Sequence, residues 1–132
     1  MQEVVREWVE KAEGDFAVAL REWRVRKNRN YDAICFHAQQ CVEKYLKGIL
    51  QQEGTRFAKS HDLIILVKAG LLKHPLWEPD LGNMEILSRY AVLFRYPGES
   101  ATREDAMTAV KLMRIYRERL RRVLGLSAVG RK

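Results

Sequence analysis

Apolar side chains recur at steps of three and four along nearly the whole chain, and no stretch alternates apolar with polar residues as a half-buried strand would. A chain patterned this way buries its apolar surface by packing helices on helices. The first repeat runs from about residue 3 to 27, with Val4, Val5, Trp8, Val9, Ala12, Phe16, Ala19, Leu20 and Trp23 on one side. Asn28-Arg29-Asn30 interrupts it, because asparagine favours turns over helix interiors. The spacing predicts a second helix over about 31 to 53, with Ile34, Cys35, Ala38, Cys41, Val42, Tyr45, Leu46, Ile49 and Leu50 inward and Gly54 as its terminator.

Ser60 is placed to cap a short third helix over about 61 to 73, with Asp62 in its first turn and Gly70 weakening its end. His74 to Pro79 reads as a connector. A fourth helix is expected from about 80 to 95, stopped by Tyr96-Pro97-Gly98, since proline cannot donate to the helix ladder. Thr102, with Asp105 three residues on, forms a short variant of the capping box and opens a fifth helix that ends near Leu124-Gly125. The expected fold is therefore all-α: an antiparallel up-and-down bundle of five helices, four of them long, around one core. It is expected to form a single domain over residues 1–126, with a frayed tail at 127–132.

Charge narrows the partners. Lys+Arg 24 against Asp+Glu 17 gives +7, which favours polyanions or an acidic protein. No apolar run approaches the roughly 20 residues that span a bilayer, and the first residues lack the basic and apolar regions of a signal peptide. The expectation is a cytoplasmic protein without membrane association. Cys35 and Cys41, six apart on one helix, point to different faces, which suits neither a disulfide framework nor joint metal ligation. His37 and His61 have no second histidine or cysteine at ligand spacing, and no Glu-x-x-His, phosphate loop or dinucleotide fingerprint occurs. No metal and no cofactor is expected.

Four groups of residues could carry chemistry. His37, Gln40, Lys44, Lys47 and Gln51 form one polar stripe on the second helix, either a solvated face or a functional groove or self-association surface. Asp15 lies within an apolar line of the first helix, where a carboxylate must find a partner, and His37 or Lys44 could supply it as a clamp or as part of a site. His61-Asp62 could cap the third helix or bring an imidazole and a carboxylate to a cleft. Arg89, Tyr90, Arg95 and Tyr96 place two guanidiniums beside two rings, which suits a phosphate with a stacked base, or equally a tyrosine core covered by arginine stems. Basic residues also collect at Arg21 to Arg29 and along Arg114, Arg117 and Arg121, a line that could track a nucleic-acid backbone or meet an acidic partner.

The run from Tyr31-Asp32-Ala33-Ile34-Cys35-Phe36-His37-Ala38 through Gln39-Gln40-Cys41-Val42-Glu43-Lys44-Tyr45-Leu46-Lys47 closely resembles the second-helix signature of HEPN domains. Supporting blocks follow in order: Ala12 to Asp15 before it, then Ser60-His61-Asp62-Leu63, Arg95-Tyr96-Pro97-Gly98 and Glu104-Asp105-Ala106. The resemblance covers about residues 5 to 124. It implies a helical bundle that commonly dimerises, and in many small prokaryotic members a partnership with a minimal nucleotidyltransferase, often as a toxin–antitoxin pair. Several branches are metal-independent ribonucleases whose motif is an arginine, four to six residues, then a histidine. After Arg89 that window reaches Phe94, Arg95 and Tyr96, with no histidine.

Three functional readings follow from the resemblance. One is a nucleotide- or RNA-binding module with a degenerate ribonuclease motif, working with a nucleotidyltransferase. In it Arg89, Arg95 and Lys44 hold phosphate, Tyr96 stacks on or bonds the ligand, and Asp15, His37, His61 and Asp62 orient the groove. A second is an active metal-independent endoribonuclease using Arg89, Arg95, Tyr96 and His37. The third is a non-catalytic dimerising scaffold. All require the groups closing the fourth helix to pack beside the histidine–lysine ridge of the second.

Overall fold

The computed structural model describes residues 1–129 and contains α1 (Glu3–Arg24), α2 (Tyr31–Gln52), α3 (Leu63–Gly70), α4 (Leu81–Leu93) and α5 (Arg103–Val123). A 3-10 turn, Pro75–Asp80, joins α3 to α4, and no strand occurs among the described residues. The five helices pack as a bundle with α2 at its centre, against α1, α5, α4 and α3. Of the 22 residues of α2, 14 are buried, which is why its apolar face is so broad. No helix of the described residues is long and apolar enough to cross a membrane.

Local chemistry sets the boundaries. α1 stops at Arg24 rather than near residue 27: Val25 is extended, and Asn28 takes a positive φ of 56°, a conformation asparagine tolerates better than most residues. Asn30 then caps α2, its side chain accepting from the Ala33 amide at 3.0 Å. The predicted cap of α3 shifts by two residues. Asp62 caps it, accepting from Ile64 N at 2.9 Å, while Ser60 Oγ accepts from Asp62 N one step earlier. Leu63 N donates to Ser88 Oγ on α4, so α3 starts where α4 meets it. The expected box on α5 is present in full: Thr102 accepts from Asp105 N and Asp105 accepts from Thr102 N.

α3 and α4 are both shorter than expected, so α1, α2 and α5 are the long helices rather than four. α3 ends at Gly70, against which the Trp77 ring packs; a Cβ on Gly70 would lie 2.5 Å from that ring. The helix α4 ends at Leu93, ahead of Pro97 and of Gly98 with φ 91°. Arg95 and Tyr96 therefore sit in the following turn, not on the helix face that Arg89 occupies. In the tail, the carbonyls of Ser127 and Ala128 accept from Arg121 and Arg117, so these two residues are held against α5; residues 130–132 lie outside the described ones.

Candidate functional site

The polar stripe on α2 is not a solvated face. α1 lies across it, and Gln40 and Lys47 are buried while His37 and Lys44 are half-buried. Asp15 reaches between the last two: its Oδ1 lies 2.7 Å from His37 Nδ1, and its Oδ2 accepts from Lys44 Nζ. One carboxylate thus serves an imidazole and an ammonium. Lys47 passes beneath Trp8, 5.5 Å from the ring centroid.

A second buried carboxylate, Glu43, lies outside the groups that the sequence marks as candidates. Its side chain is 3% exposed and lies 3.0 Å from Lys47 Nζ and 3.1 Å from His61 Nδ1. Gln39 Nε2 donates both to Glu43 and to the His61 carbonyl, and Gln40 Nε2 donates to Gln39. A carboxylate accepts only, so Nδ1 of His61 is the donor and Nε2 is left free to face outward. The signal available in sequence was the four-residue spacing of Gln39, Glu43 and Lys47 amid the buried Val42 and Leu46.

His61 stands in the wall of a recess of about 440 Å³ with Asp62, Ser88, Arg89 and Arg95. Ala91 and Arg95 also line an adjoining recess of about 520 Å³ with Phe36, His37, Tyr90 and Phe94. Arg95 lies over the Phe36 ring at 5.6 Å, and Tyr90 stacks with Phe94 at 5.7 Å. The structure therefore brings Arg89 and Arg95 together with His61, and Arg95 with His37. Neither arginine forms an ion pair among the described residues. Lys44 lines neither recess, because Asp15 holds it. Tyr96 lines neither and is 63% exposed. Asp62 is occupied at the cap of α3, and Asp32, at the rim of the second recess, holds the Ala101 amide at 2.7 Å.

The basic line on α5 is largely internal. Arg117 and Arg121 are 9% and 7% exposed. Arg117 binds Glu13 through Nε at 2.7 Å and a terminal nitrogen at 2.6 Å, and covers Phe16 at 4.0 Å. Arg121 donates to Tyr45 Oη, which itself donates to Glu13. Burial alone would raise the Glu13 carboxyl, but the hydrogen bonds from Arg117 and Tyr45 and the two guanidinium charges outweigh it and hold it below the ordinary range. These arginines hold α1 and α2 to α5, so the line does not track a nucleic-acid backbone. Burial, then the charges of Asp105 and Asp32, pushes the Cys35 thiol up to about 12, and burial pushes Cys41 well above its usual value. Neither is poised as a nucleophile.

The architecture is that of an all-α bundle with contiguous recesses walled by histidines and arginines. Compared with known protein families, the chain matches the HEPN domain over residues 5–123. It belongs to the HEPN domain family. No curated protein and no solved structure matches it.

Proposed function

We propose that this HEPN-domain protein binds a nucleotide or RNA at the recess walled by Arg89, Arg95 and His61, and works with a minimal nucleotidyltransferase in a toxin–antitoxin-like pair. The observation that carries the reading is two guanidiniums at one recess that form no ion pair among the described residues, with His61 and His37 nearby, held on Glu43 and Asp15. Such guanidiniums suit phosphate, and Tyr90 and Phe94 offer rings beside it. Asp15 and Glu43 fix the orientation of His37 and His61, and dimerisation, common in the family, would pair two such recesses. The test is calorimetric titration of nucleotides and short RNA into the protein and into Arg89→Ala/Arg95→Ala, with co-purification of a co-encoded nucleotidyltransferase. Wild-type binding lost in the double variant supports the reading. Absence of both binding and association rejects it.

A second reading, a metal-independent ribonuclease, is favoured by His61 sharing a recess with Arg89 and Arg95 despite the missing motif histidine. Here Nε2 of His61 takes the ribose 2′-OH proton. The 2′-oxygen then bonds to phosphorus, the bond from phosphorus to the 5′-oxygen breaks, and that oxygen leaves with the proton returned by the His61 imidazolium. The arginines bear the charge on the phosphoryl oxygens. RNA incubated in EDTA should be cut by wild type and by neither His61→Ala nor Arg95→Ala; an inert wild type rejects this reading.

A further inference from the structure

A third recess, of about 820 Å³, lies between α1, the end of α2 and the loop leading to α3. Trp8, Arg56, Phe57, Lys59 and His61 line it, and its wall contains no carboxylate. Lys47, also present, is occupied by Glu43, whereas Arg56 and Lys59 form no ion pair among the described residues. Trp8 brings an indole N–H that is buried with no hydrogen-bond partner among the described residues. This recess shares His61 as a wall residue with the α4 recess, just as the α4 recess shares Arg95 with its neighbour.

Each recess alone has the size of a small-molecule site. Taken in order through their shared wall residues, they present Arg95 and Arg89, then His61, then Lys59 and Arg56, with aromatic rings in the outer two recesses. Basic side chains in succession beside aromatic rings suit a chain of phosphates whose base faces are free to stack. A duplex hides those faces. We propose that the ligand of the α4 recess is a single-stranded nucleic acid several nucleotides long, which continues past His61 onto a second subsite formed by Arg56, Lys59, Phe57 and Trp8. The inference rests on the reading of the α4 recess and adds a subsite to it.

The experiment measures fluorescence anisotropy of labelled di- and octa-adenylate with the full chain, and repeats it with duplex RNA. The variants are Arg56→Glu/Lys59→Glu and the milder Arg56→Gln/Lys59→Gln, each checked by thermal melting, plus Arg95→Ala. An octamer offers seven dinucleotide registers, so about sevenfold tighter binding is statistical, and an occupied second subsite should raise the gain to at least about 50-fold. In both loop variants the gain falls back to about sevenfold, dinucleotide affinity is unchanged, and the slope of log K against log salt shallows by about 1.4, the value for two lost single-strand phosphate contacts. An octamer gain that is statistical in wild type, or unaltered in the loop variants, overturns the second subsite, as does a duplex bound equally tightly. Dinucleotide binding lost in Arg95→Ala would still uphold the α4 recess. If wild type binds neither oligonucleotide, both fall.

Discussion

Nδ1 of His61 lies 3.1 Å from Oε1 of Glu43, which anchors a ring that is 73% exposed on a carboxylate that is 3% exposed. The same carboxylate neutralises the buried Lys47. The two residues therefore differ in kind: Glu43 is needed by the core, and His61 is presented to the recess.

Glu43→Ala should lower the unfolding free energy by about 3 kcal/mol or more, because it leaves Lys47 buried without a partner. His61→Ala should cost less than about 1 kcal/mol, since little of the ring is buried. Urea titrations of both variants measure the contrast. Equal losses would make His61 a packing element.

Acid should loosen the joint between α1 and α5. The Glu13 carboxyl is depressed in the folded protein by Arg117, Tyr45 and Arg121, despite the burial that opposes them. A depressed carboxyl contributes stability that is complete above its unfolded value, 4.5 for glutamate, and is lost as pH falls through the lower folded value. Glu13→Gln should therefore reduce stability at pH 7 and flatten its decline below pH 4.5. Thermal melts across that range show it. Parallel pH curves for variant and wild type would count against the joint.

Much of this architecture can be read from the chain, and the exceptions share a cause. The three- and four-residue spacing marks the helices, and Thr102 with Asp105 marks the start of α5, because both signals are local. Asp15 is marked in the sequence as a carboxylate in an apolar line, and its partners are the two residues of the second helix's polar stripe expected to supply it, His37 and Lys44. Arg117 and Arg121 misled because periodicity cannot tell an arginine facing water from one facing Glu13 on another helix. Glu43 was hidden for the same reason: its burial depends on the loop carrying His61 back over α2. Ser60 and Asp62 are both good caps, and the helix begins at Leu63, whose amide donates to Ser88, two elements away.

Gly70→Ala should destabilise the protein although alanine is the better helix former. The added methyl would approach the Trp77 ring to 2.5 Å, and overpacking of this kind costs about 1–3 kcal/mol, more than the 0.5–1 kcal/mol that alanine returns. Denaturant midpoints decide the sign; a stabilised variant would place Trp77 elsewhere.

Lys44 and Glu85 separate charge in the recess from charge nearby. Lys44→Gln should leave nucleotide affinity within about twofold, because Asp15 and not the recess holds Lys44. Glu85 lines the recess and repels phosphate, so Glu85→Gln should tighten binding about two- to threefold. Calorimetry reads both. A tenfold loss on Lys44→Gln would move the phosphate site to the α1–α2 clamp.

The most direct measurement is the affinity of a short labelled RNA for wild type and for Arg89→Ala/Arg95→Ala at two salt concentrations. Guanidiniums that hold phosphate predict at least a tenfold loss in the double variant and a shallower salt dependence, with folding unchanged. Equal affinity and an unaltered salt slope would show that the α4 recess is not where this protein meets its ligand.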